Sequence, residues 1–91
     1  MRGGEIMNIG SFSLDAKGAS IKQTMVRDLN NGSKIKKLIF DNGLILIFTE
    51  TNYGIQNIDF NYVMIKEPNG AFYADLNNKK SDFNDYFDQD F

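Results

Sequence analysis

The chain has 91 residues, ten basic and twelve acidic side chains and a formal net charge of −2, with no cysteine, histidine or tryptophan. That length allows one domain with a modest core. The missing imidazole and thiol groups exclude Ser-His-Asp and Cys-His catalysis, disulfides, and zinc sites built on nitrogen or sulfur.

Taken from its start, the sequence opens on Met1 to Ile6, where Arg-Gly-Gly-Glu can be encoded by AGA-GGA-GGU-GAA. This resembles a purine-rich bacterial ribosome-binding sequence just ahead of Met7, so residues 1–6 are expected to be a non-native leader. Richness in Asn, Lys, Ile, Asp and Phe adds the expectation of an AT-rich bacterial, phage or plasmid gene. Asn8 to Asp15 alternates weakly and predicts a short edge strand; Ala16 to Ala19 predicts a turn. Over Ser20 to Leu29, Ile21, Met25 and Leu29 form one helical stripe with Val26 beside it. Ser20 with Gln23 makes a capping box, and Asn30-Asn31-Gly32 suits a helix end, so this stretch predicts a short helix.

Lys34 to Glu50 predicts the central β-hairpin. Asn42-Gly43 is the favoured pair for a two-residue type I′ turn, which sets Phe40 opposite Ile45, Leu38 opposite Ile47, Ile39 opposite Leu46 and Lys37 opposite Phe48. Both faces are then apolar near the turn, and each needs cover. Thr51 to Gln56 predicts a loop, and Asn57 to Lys66 a strand with Ile58, Phe60, Tyr62 and Met64 on one face. Glu67-Pro68-Asn69-Gly70 predicts a turn with Glu67 opposite Ala71, giving the pairs Lys66/Phe72, Ile65/Tyr73, Met64/Ala74, Val63/Asp75 and Tyr62/Leu76.

Residues 1–80 carry all ten basic side chains and eight acidic ones, whereas residues 81–91 carry four aspartates and no base. In that tail Phe83, Phe87 and Phe91 recur every fourth position with Tyr86 alongside, which predicts an aromatic stripe on a short helix begun by Ser81. The candidate partner-binding residues are Phe83, Tyr86, Phe87, Asp88, Asp90 and Phe91. Asp88-Gln89-Asp90-Phe91 resembles the acidic, phenylalanine-terminated tip that bacterial and phage single-stranded DNA-binding proteins use to recruit partners. It covers four residues and lacks the proline before the last one. The aspartates fit no calcium loop, having neither the glycine at the sixth position nor the bidentate glutamate at the twelfth. No spacing pairs carboxylates for hydrolysis, and no glycine motif cradles a phosphate.

The expected fold is therefore α+β: an antiparallel meander of four to five strands with one short helix from Ser20, forming a compact domain over 1–80. The acidic aromatic tail, 81–91, either docks on it or reaches for a partner. The expected function is non-catalytic: a small cytoplasmic binding protein, without cofactor or metal, that binds and by binding inhibits a host protein. The alternative is a single-stranded nucleic-acid-binding protein in which Tyr53, Tyr62 and Tyr73 stack on bases while Lys34, Lys36 and Lys37 track the backbone. The longest apolar run, Leu44 to Phe48, falls far short of the roughly 20 residues of a membrane-spanning helix, so no membrane contact is expected. Self-association would enlarge so small a core.

Overall fold

The computed structural model describes residues 6–88. Residues 1–5, most of the expected leader, and Gln89, Asp90 and Phe91 lie outside the described residues. The elements are β1 (Ile6–Ile9), β2 (Phe12–Asp15), β3 (Ile21–Asp28), β4 (Lys34–Phe40), β5 (Ile45–Thr51), β6 (Gly54–Phe60), β7 (Tyr62–Lys66), β8 (Phe72–Lys79) and a 3₁₀ turn, Tyr86–Asp88. They form two four-stranded sheets, the first ordered β1-β2-β8-β7 and the second β3-β4-β5-β6. Pairing is antiparallel except where β2 runs parallel to β8 at Leu14 and Phe72. The α+β expectation is thus corrected to an all-β fold, with no α-helix among the described residues.

The predicted helix from Ser20 is strand β3. Its residues pair antiparallel with β4 from Gln23 opposite Ile39 to Asp28 opposite Lys34. Ser20 caps nothing: its N–H donates to Asp41 Oδ1 (3.1 Å), and its carbonyl accepts from the Asp41 N–H (2.9 Å). A strong neighbouring strand offers every β3 residue except the bulged Lys22 a ladder partner, and this outweighs a helical stripe of a few apolar residues.

Asn30-Asn31-Gly32 is a hairpin loop, and its form recurs twice. In Leu29–Ser33, Phe40–Leu44 and Glu67–Ala71 the closing residues are joined by an N–H to carbonyl bond of 2.9, 2.8 and 2.7 Å. In each loop the glycine N–H donates to the carbonyl of the first residue, and Gly32, Gly43 and Gly70 take φ of 85, 97 and 92°. Asn31, Asn42 and Asn69 each accept, through Oδ1, the N–H two residues on, at 3.1, 3.1 and 2.9 Å. This is a type I turn followed by a glycine bulge, a three-residue connection.

The central hairpin therefore corrects the expected register by one residue. Leu38 faces Leu46, Lys37 faces Ile47 and Ile39 faces Ile45. A one-residue slip reassigns the faces of one strand against the other. The observed register gathers Leu38, Phe40, Leu44, Leu46 and Phe48 into one cluster with Ile9 and Leu14 of the first sheet. The second hairpin has the expected pairs from Lys66/Phe72 to Val63/Asp75; beyond them Tyr62 faces Lys79 instead of Leu76, after a bulge.

The strand expected over Asn57 to Lys66 is broken at Asn61, where the chain passes from β6 in one sheet to β7 in the other. Ile58, Phe60, Tyr62 and Met64 all pack on the core across the break. Asn61 fixes the corner. Its N–H donates to the Ile45 carbonyl (3.2 Å), its Nδ2 to the Gly43 carbonyl (2.9 Å), and its Oδ1 and carbonyl accept from the N–H groups of Ile45 (2.8 Å) and Lys80 (3.1 Å). The edge strand expected over Asn8 to Asp15 is instead the hairpin β1–β2, turned at Gly10-Ser11 with Ile9 opposite Phe12. Gly10 takes φ 62°, and a Cβ there would stand 3.0 Å from the Ile55 Cβ, so the turn packs directly against β6.

Candidate interaction surfaces

Facing residues across the second sheet share a side. Met25, Lys37, Ile47 and Asp59 form one row on the face turned away from the first sheet. That face is apolar at Ile35 and Ile47, which are buried. The tail crosses it strand by strand. Over β6 the Asn84 N–H donates to Asp59 Oδ2 (3.0 Å), and over β4 Asp85 Oδ2 meets Lys37 Nζ at 2.5 Å. Over β3 the Arg27 guanidinium donates to the carbonyls of Tyr86 (2.9 Å) and Phe87 (3.4 Å). It also lies 4.6 Å from the centroid of the Phe87 ring. Asp85 Oδ1 accepts the Phe87 N–H (2.9 Å) and so starts the 3₁₀ turn. The aromatic spacing in the tail thus serves an extended crossing that ends in a single tight turn, and the helix expected from Ser81 is not formed among the described residues.

Phe83, Tyr86 and Phe87 are half-buried here, and Asp88 closes the turn. Gln89, Asp90 and Phe91, the remainder of the DNA-binding-protein-like tip, lie outside the described residues.

Asp59 anchors the crossing. Burial works against its charge, but the Lys80 ammonium at 2.5 Å and the N–H groups of Asn84 and Phe60 outweigh that, holding its carboxyl below the ordinary 3.8. Lys37 is 8% exposed, and Asp85 is its ion partner.

The six residues of the nucleic-acid alternative are not brought together. Lys36 and Lys37 are adjacent in a strand and so point to opposite faces. Lys37 lies beneath the tail, Lys36 pairs with Glu50 at 3.0 Å, and Lys34 is exposed at the start of β4. Tyr62 packs on the core between the sheets. Tyr53 stands at the β5–β6 tip, 93% exposed, and Tyr73 lies on the outward face of the first sheet with Lys17 Nζ 4.7 Å above its ring.

That outward face is the open one. Met64 and Ala74 point into the core, so Val63 and Ile65 point out, 37% and 38% exposed, with Ile65 opposite Tyr73. Exposed Ile6, opposite Asp15, adds to the same side at the far strand. Charges rim this apolar strip. Lys17 Nζ bridges Glu67 Oε2 (2.6 Å) and Asp15 Oδ2 (3.6 Å). The Lys17 backbone N–H chiefly holds the Asp15 carboxyl below its ordinary value, and the bond to Glu67 chiefly raises Lys17. Sequence spacing could not pair Asp15 with Glu67, because only the parallel contact of β2 with β8 brings Asp15 beside the β7–β8 turn that carries Glu67.

Among the described residues no three acidic side chains gather as a metal site, and no helix is long and apolar enough to cross a membrane. Comparison with protein-family models, curated proteins and solved structures finds no match for this chain.

Proposed function

We propose that the chain acts by binding another protein, without chemistry of its own, through the outward face of β7 and β8. The observation that carries this reading is the contrast between the two outer faces. The apolar outer face of the second sheet is covered by the chain's own tail. On the first sheet Val63 and Ile65 stay open beside Tyr73, with Lys17, Asp15 and Glu67 at the margin. An apolar centre with a charged rim is the anatomy of a protein interface. For a gene of bacterial, phage or plasmid character, the specific form of the proposal is a cytoplasmic accessory protein that inhibits a host protein by occupying it. The nucleic-acid alternative has less support, because its lysines and tyrosines are spread over separate faces.

The test is affinity purification of the full chain from its native cells, beside the variant Val63→Lys/Ile65→Lys. The reading predicts a stoichiometric protein complex that the double variant loses while its melting temperature stays unchanged. A complex that the variant retains would overturn it, as would binding of an oligo-thymidine strand at physiological salt that Lys34→Ala/Lys36→Ala/Tyr53→Ala removes.

A further inference from the structure

Strand β3 closes one end of the second sheet, with β4 on one side and no strand on the other among the described residues. It is eight residues long, and its bulge is confined to Ile21–Gln23, so Gln23 to Asp28 run in regular register. The other edges are poorer templates: β1 has four residues, β7 has five with a bulge, and β6 is bulged and continues into β7 around Asn61. Val26 shares a face with Leu38 and Phe48 yet is 52% exposed, because the first sheet does not reach this flank. A long regular edge with uncovered apolar side chains is a template for strand addition.

We infer that the strand added there is β3 of a second copy, joining the two second sheets into one. The sequence of β3, Ile-Lys-Gln-Thr-Met-Val-Arg-Asp, suits a two-fold axis. An antiparallel pair related by a two-fold axis perpendicular to the sheet keeps each side chain on its own face, so a residue meets itself or one of its own parity. Centring on Thr24 sets Val26 against Lys22, and centring on Val26 sets Thr24 against Asp28. Centring on Met25 sets Val26 against Thr24 of the second copy, two β-branched residues on one face, and brings Asp28 beside Lys22 at the bulge, opposite charges at both ends. In that register Arg27 lies opposite Gln23, four positions from Arg27 of the second copy. This is roughly 13 Å along the strand, so the two docked tails have room side by side.

Sedimentation equilibrium of the full chain, from micromolar to millimolar, tests this. Lys22 and Asp28 are both exposed, and a melting curve of each variant checks that the exchange, which sets Asp28→Lys opposite Lys34 of β4, leaves the fold intact. The expected result is a monomer–dimer equilibrium weakened about tenfold by Lys22→Asp and by Asp28→Lys, each placing like charges opposite one another twice per dimer, and restored by the double exchange. Met25→Cys, the sole thiol in a cysteine-free chain, should oxidise to a covalent dimer across the axis. A monomer at every concentration would overturn the inference. So would a dimer indifferent to the single exchanges, or one that the double exchange fails to restore.

Discussion

Asp59 and Lys37 stand in one row of the second sheet and hold the tail by opposite charges. The Asp59 carboxyl is held below its ordinary 3.8, so it contributes stability that is full above that value and is lost as pH falls through 3.8 toward the folded value. Asp59→Asn should therefore be less stable than the native chain at pH 7. Urea unfolding should show the gap begin to narrow as pH falls below about 4 and close only once the folded Asp59 carboxyl is itself protonated. A gap independent of pH would show that the Asp59 charge contributes nothing. Lys37 presents the reverse problem, a cation 8% exposed whose ion partner is Asp85. Asp85→Ala should cost about 2–3 kcal/mol, less than the largest values for broken buried pairs, because the tail can lift and return Lys37 to water. Adding Lys37→Met to Asp85→Ala should recover most of that loss in the same denaturation measurement, since an apolar pair of similar volume needs no partner.

At the scale of elements, the tail covers the second sheet rather than extending it. Removing 81–91 uncovers Ile47, which has no exposed surface, and strips three half-buried aromatics from their contacts. The expected loss is about 3 kcal/mol, a fall in melting temperature on the order of 15 °C. An unchanged melting temperature would mean that the tail adds nothing to the fold. The elements also separate what could be read in the sequence from what could not. The turn at Glu67 to Gly70 was legible because Pro68 fixes φ at the first turn position, which a type I turn accepts and a type I′ turn does not. At Asn42-Gly43 the pair favours a two-residue type I′ turn, and the three-residue form is found instead. The three-residue form won because it aligns Leu44, Leu46 and Phe48 with Leu38 and Phe40. The inward face of Ile58, Phe60, Tyr62 and Met64 was legible from alternation alone, although the break at Asn61 was not, since its function is to bond groups distant in sequence. Strand β3 differs from the expected helix because its apolar residues fit a helical stripe in isolation, and the partner that makes it a strand lies beyond the next turn. Gly10-Ser11, a glycine-first hairpin pair, is the sequence signal for the β1–β2 turn, set within an otherwise weak alternation. Among the candidate site residues, alternation within β4 already separates Lys37 from Lys34 and Lys36; burial of Lys37 beneath residues 84–87 required the tertiary fold.

For the whole molecule, the layers run from tail to second sheet to core to first sheet, and the outermost face of the first sheet is left open. Under the proposed function, this order favours the first sheet over the tail as the partner-binding surface. The aromatics of the tail, which looked like the means of recruiting a partner, are engaged on the chain's own strands as far as Phe87, while Val63 and Ile65 remain outward. A proton NOESY spectrum of the full-length protein in dilute solution shows whether the tail aromatics belong to this chain's own fold. Cross-peaks are expected from the Phe87 ring to the side chains of Arg27 and Lys37, with none from the tail rings to Val63 or Ile65. Tail aromatics without cross-peaks to the second sheet, or with cross-peaks to the open face of the first, would contradict this expectation.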